Sequence, residues 1–236
     1  MTRKLLTEVI GTFFLVLTIG LTVTAGLPLA PLAIGSALMV MVYMGGAVSG
    51  AHYNPAVTLA VHLRGKVAAG EAAAYVLAQV AGATLAALAV YVIVGRTFMP
   101  APAAGASAAA VLLVEALFTF ALALVVLNVA TARATEGNSY FGLAIGFTVM
   151  VGAFAGGPVS GGAFNPAVGL GPAIVTAIFG GGPVAHVWYY LVGPLLGAAA
   201  AVGVFRVQCP QDLAPESVPF PPVSEQPGIA PEIRKV

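Results

Sequence analysis

Apolar residues run almost unbroken through six stretches of this chain, roughly 5–26, 31–48, 72–94, 108–130, 140–155 and 185–207, with polar residues gathered between them. A helix needs about 20 apolar residues to cross a bilayer. The pattern therefore predicts six transmembrane helices. Two further apolar stretches begin at Asn54 and Asn165 and stop before Arg64 and before the break at 180–183. Each holds about ten residues, and a helix of that length is roughly 15 Å long, half the hydrocarbon thickness. These are expected to be re-entrant half-helices. Backbone that turns at membrane depth is tolerated only inside protein or beside a wet cavity, so they imply a cavity within the bundle.

Composition agrees with that pattern and excludes other classes. The chain has 236 residues, 60% hydrophobic and 7% charged, where a soluble domain is about 45–50% apolar and about 25% charged. It reads as an integral membrane protein held by the lipid bilayer. A net charge of +1 gives no nucleic-acid footprint, and the single Cys209 excludes a disulfide framework or a cysteine metal cluster. No Ser/His/Asp set, paired catalytic carboxylates, metal site or phosphate loop is visible, so neither an enzyme nor a bound cofactor is expected.

With six spans both termini share a side. Arg3, Lys4, Arg64, Lys66, Arg133, Arg206, Arg234 and Lys235 fall on that side and Arg96 alone opposite, which predicts cytoplasmic termini in a cell (inner, plasma) membrane. The first span follows Arg3 and Lys4 with no small-residue cleavage site and is read as retained. Residues 1–207 are taken as one membrane domain. From 208 to 236 seven prolines and scattered charges predict a disordered cytoplasmic tail.

The membrane domain repeats itself. Val48 to Val57 (VSGAHYNPAV) matches Val159 to Val168 (VSGGAFNPAV) at seven of ten positions, 111 residues apart. The same offset pairs Ala33-Ile34-Gly35 with Ala144-Ile145-Gly146, and a slightly shorter one pairs Glu8, Thr12 and Phe13 with Glu115, Thr119 and Phe120. The two copies cover about 5–94 and 108–207. Each holds three spans, an odd number, so the copies are expected to be inverted, with the half-helices entering from opposite faces and their N-termini meeting near the midplane.

Asn54-Pro55-Ala56 and Asn165-Pro166-Ala167 open those half-helices. Asn is a strong N-cap, and Pro at the first helical position has its φ already set and no N–H to leave unpaired. A single such motif reads as a capped turn; two at matched positions in half-spans point to a site. Each helix N-terminus carries about half a positive charge, so two facing one spot repel cations. If backbone donors hold each Asn oxygen, the amide NH₂ is left to donate to an oxygen passing in single file. Glu8 and Glu115 lie inside apolar spans, where a carboxyl needs partners. They are read as acceptors supporting the re-entrant loops, with proton coupling in a secondary transporter as the less favoured role.

These residues resemble those of the aquaporin and aquaglyceroporin family, the major intrinsic proteins. The resemblance spans about 5–206 and rests on SGAHYNPAVT from Ser49, SGGAFNPA from Ser160, Glu-x-x-x-Thr-Phe at Glu8 and Glu115, Ala78-Gln79 with Gly82, and GPLLG from Gly193. It implies an all-α channel of six spans and two re-entrant half-helices in an inverted repeat, assembled as a homotetramer with one pore per subunit. It also implies a four-residue selectivity filter, usually aromatic residues and an arginine, whose positions fall on Ile34, Ala153, Gly162 and Val168. Here the chain departs from its family, with Val168 where the arginine stands. Without a guanidinium, and with small residues at Ala153 and Gly162, the filter is expected to be wide and apolar.

The expected function is passive passage of glycerol, urea, metalloid acids such as arsenous acid, and water. The alternative is a water-selective channel, narrowed elsewhere by Phe154, Tyr43 or loop side chains. Glycerol channels of the family usually carry Asp soon after the second motif, whereas Gly169-Leu170-Gly171-Pro172 follows here, which keeps the solute open. His52 is read as a loop-packing donor, His62 as an interfacial residue near the cytoplasmic mouth, and Trp188, Tyr189 and Tyr190 as an interface belt.

Overall fold

The computed structural model describes residues 1–181 and 184–212. Eight helices follow one another: α1 (Thr2–Thr24), α2 (Ala30–Ser49), α3 (Pro55–Leu63), α4 (Ala69–Val94), α5 (Ala108–Thr131), α6 (Phe141–Ser160), α7 (Pro166–Val175) and α8 (Tyr189–Gln208). Six are long and apolar enough to cross a membrane, the last lengthened to Ala185–Gln208 by a leading 3₁₀ turn. The two short ones are the expected half-helices. α3 has nine residues, and α7 has ten and runs into a wider turn, Thr176–Gly180.

Boundaries differ where local signals mislead. The fifth span was expected to end at 155 but continues to Ser160 through Gly156-Gly157-Pro158. Glycine and proline break helices in water, yet in an apolar bundle the alternative is an unsatisfied backbone, so the helix persists. Residues 208–212 of the expected tail are folded instead. Gln208 closes α8, and a turn over Pro210–Asp212 is tied back to the end of α5. There the buried Asp212 carboxylate accepts from the backbone N–H of Arg133 at 3.3 Å and pairs with its Nε at 3.7 Å. Counting prolines overlooks one buried acid with a fixed partner. Residues 213–236, the rest of that expected tail, lie outside the described residues.

Small residues let the helices touch. A Cβ on Gly35 of α2 would lie 2.6 Å from Met150 Cβ and 2.7 Å from the Gly146 carbonyl of α6; one on Gly146 would meet the Gly35 carbonyl at 2.5 Å. The two crossings beside the half-helices use the same device. Gly82 of α4 faces the Val9 carbonyl of α1, and Gly197 of α8 faces the Ala116 carbonyl of α5. Lipid tails are as apolar as the helices, so close packing and not apolar burial drives association in a membrane. Gly35→Val is accordingly expected to destabilise the bundle by about 3 kcal/mol through overpacking. Thermal unfolding in detergent reads this, with Gly203→Ala, where a Cβ has nothing within 4 Å, as the unaffected comparison.

Candidate functional site

The half-helices are started by their asparagines. Asn54 Oδ1 accepts from the Ala56 N–H at 2.8 Å and Asn165 Oδ1 from the Ala167 N–H at 2.9 Å, each with proline at the first helical position. Each amide then reaches across to the other loop. Asn54 Nδ2 donates to the Phe164 carbonyl and Asn165 Nδ2 to the Tyr53 carbonyl, both at 2.9 Å. The N-termini of α3 and α7 are thus stapled together. One N–H of each amide is spent on the staple, so the donor available to a solute is the remaining one and not the whole NH₂ group.

The staple needs unusual backbone. Tyr53 and Phe164, directly before the asparagines, have φ of 49° and 48°, a left-handed conformation costing roughly 1–2 kcal/mol for a side-chain-bearing residue. Supporting side chains hold each loop in place. Glu8, fully buried in α1, accepts from Ser49 Oγ (2.6 Å), the His52 N–H (3.0 Å), the Tyr53 N–H (2.7 Å) and Gln79 Nε2 (2.8 Å). Glu115 in α5 accepts from Ser160 Oγ (2.7 Å), the Ala163 N–H (3.1 Å) and the Phe164 N–H (2.7 Å).

Sequence reading missed the tyrosines that complete this scaffold. Tyr75 OH donates to the Ser49 carbonyl at 2.7 Å and Tyr190 OH to the Ser160 carbonyl at 2.6 Å. Tyr190 was assigned to an interface belt; it is instead fully buried, while Trp188 is exposed. An aromatic run cannot show which ring turns inward, although the matching position of Tyr75 beside Ala78-Gln79 was a usable signal.

The two loops are not supported identically. His52 Nδ1 lies 3.1 Å from Thr58 Oγ1, which also accepts from Gln79 Nε2 at 2.9 Å. At the corresponding positions the second loop has Ala163 and Gly169, and a Cβ on Gly169 would strike Tyr190 Cβ at 2.5 Å. Polar bonding on one side answers close packing on the other.

Beside the staple lies a cavity of about 430 Å³. Asn54, Asn165 and His52 line it, as do all four positions assigned to the filter: Ile34 of α2, Ala153 of α6, Gly162 in the second loop and Val168 of α7. Its lining includes no Asp, Glu, Lys or Arg, and neither Glu8 nor Glu115 reaches it. Phe154 and Tyr43, the side chains weighed as narrowing the passage, do not line it; both are exposed, and Tyr43 OH donates to the Ser139 carbonyl. His62 is not in it either. Its ring contacts the Val67 carbonyl and borders a separate apolar groove between α4 and α8. Cys209, buried against Asn128, does not line the cavity.

This arrangement of helices has counterparts among known proteins. Residues 1–205 match the family described as Major intrinsic protein. The chain belongs to that family. This major intrinsic protein is 40% identical over 214 residues to Aquaporin NIP1-4 of Oryza sativa subsp. japonica, covering 87% of this chain and 76% of the relative. It is 37% identical over 224 residues to Glycerol uptake facilitator protein-like 6 of Lactiplantibacillus plantarum, covering 89% of this chain and all of the relative. The X-ray structure of the aquaglyceroporin from Plasmodium falciparum superposes with a TM-score of 0.81 at 23% identity, over 89% of this chain and 98% of that one, and so shares its fold. The protein is a multi-pass membrane channel of the major intrinsic protein family, and not an enzyme.

Proposed function

We propose that this major intrinsic protein is a passive channel for small uncharged solutes of glycerol size, including urea and undissociated metalloid acids such as arsenous acid, together with water. The observation that carries the reading is the cavity in which Ile34, Ala153, Gly162 and Val168 share one wall system with the stapled asparagines, free of charged side chains. Two helix N-termini and two amide N–H groups stabilise a solute oxygen there while opposing cations. Valine in place of arginine removes a fixed charge and five donors. Small residues at Ala153 and Gly162 leave width for a solute that a guanidinium would exclude. The similarity to a glycerol uptake facilitator of Lactiplantibacillus plantarum favours the same solute class.

Proton coupling is not supported by the geometry, because both carboxyls are buried, committed to loop donors and absent from the cavity lining. The subunit is further read as one of a homotetramer in the plasma membrane, its termini cytoplasmic. Stopped-flow light scattering on proteoliposomes tests the transport reading. Vesicles should shrink in an impermeant osmolyte and reswell rapidly in glycerol, urea or arsenous acid. Rapid shrinkage with no reswelling in any of the three would instead mean a water-selective channel.

A further inference from the structure

The connection between α4 and α5 enters the cavity. Phe98, Met99, Pro100 and Ala101 line it alongside the four filter positions. That segment is fastened to the bundle at several points. Thr176 Oγ1 donates to the Phe98 carbonyl at 3.2 Å, and the Ala103 N–H donates to the Val159 carbonyl at 3.0 Å. The Phe98 ring packs on the cluster that contains Val168 and fits a hollow at Gly20, where a Cβ would lie 2.5 Å from the ring. Gly161, next to the filter position Gly162, has φ +90°, and a Cβ there would lie 2.7 Å from the Ala101 backbone. Two glycines are thus required for the segment to lie where it does.

We propose that Phe98 to Ala101 forms a fifth wall of the filter, with Phe98 as its positioning residue and Met99 as a specificity-determining residue for solute size. The proposal rests on the pore reading given above. Its physical basis is the contrast between Met99 and the four filter positions that line the same cavity. Ala153 and Gly162 are short, Ile34 and Val168 are stiff at χ1, and Val168 is only 2% exposed, so it presents little surface to the cavity. Methionine is long, unbranched and adaptable. Its thioether is a weak acceptor and no donor. It therefore fills width without binding solute, so that the passage excludes larger solutes by bulk where relatives with an arginine add charge.

The chain's lone cysteine allows a direct test. In a Cys209→Ser background, Met99→Cys is labelled in detergent with a bulky methanethiosulfonate, the extent of labelling is read by intact mass, and the protein is reconstituted for stopped-flow measurement. Labelled Met99→Cys is expected to lose about tenfold of its water and glycerol flux, as a plug in a single-file pore should cause. Leu77→Cys, at a position 72% exposed on the outside of α4, should label equally and keep its flux. Full labelling of Met99→Cys with unchanged flux overturns the proposal, as does failure to label under conditions that label Leu77→Cys. Unlabelled Met99→Ala should raise xylitol flux several-fold relative to glycerol. Water flux reports the block whether or not glycerol permeates, so failure of the glycerol reading and failure of the fifth wall give different results.

Discussion

Val168→Arg is expected to cut reswelling in glycerol and urea by about tenfold or more while reducing water flux far less. Val168 sits in the first turn of α7, three residues after Asn165, in the cluster with Val16, Ala83 and Tyr190 against which Phe98 packs. An arginine stem has to leave that cluster toward the cavity, where Ala153 and Gly162 provide room. The guanidinium then occupies width a three-carbon solute needs, while its donors still serve a water. Stopped-flow reswelling of proteoliposomes normalised to protein content measures the ratio. Equal losses of water and glycerol flux would show that this position does not set the size limit. A fold too damaged to reconstitute is separated from that outcome by size-exclusion behaviour before reconstitution.

The parts of this molecule that could be read from its sequence are those in which one residue type has a single physical use. Six apolar runs of membrane length, with at most one charged residue in each, must be spans, and a half-length run opened by Asn-Pro has its start fixed by capping. The 111-residue offset between Asn54 and Asn165 also foretells that the two loops meet, because an inverted repeat brings like against like. What stayed hidden depends on distant partners. Tyr190 looks like any interfacial aromatic until Ser160, 30 residues away, is placed beside its hydroxyl. The Phe98 segment carries no motif, and its anchor Thr176 is 78 residues further along the chain. Asp212 lies amid prolines that suggest no structure, yet its partner Arg133 is 79 residues earlier. Charge composition could not reveal that pair, since either residue alone is an ordinary surface charge.

Replacing Glu115 by alanine is expected to destabilise the protein by about 3–5 kcal/mol, the effect of stranding several buried donors at once. The Ala163 and Phe164 N–H groups and the Ser160 hydroxyl all lose their acceptor at a depth where no bulk water replaces it. Phe164 also carries the left-handed φ, so its N–H bond is part of what holds the strained turn that presents a carbonyl to Asn54. Glutamine is no conservative substitute. Glu115 Oε1 accepts from Ser160 and Ala163 and Oε2 from Phe164, so an amide nitrogen on either side faces an N–H or a hydroxyl already donating. Glu115→Gln should therefore fall between wild type and alanine in thermal stability in detergent. Glu8 has one more donor, Gln79 Nε2, which retains Thr58 as a partner when the carboxyl is lost, so Glu8→Ala should cost as much as Glu115→Ala. A proton-coupling carboxyl would behave otherwise, since its glutamine variant would keep wild-type stability and lose only transport. Loss of stability together with passive flux identifies the carboxyls as the acceptors on which both re-entrant turns, and through them the meeting of α3 and α7, depend.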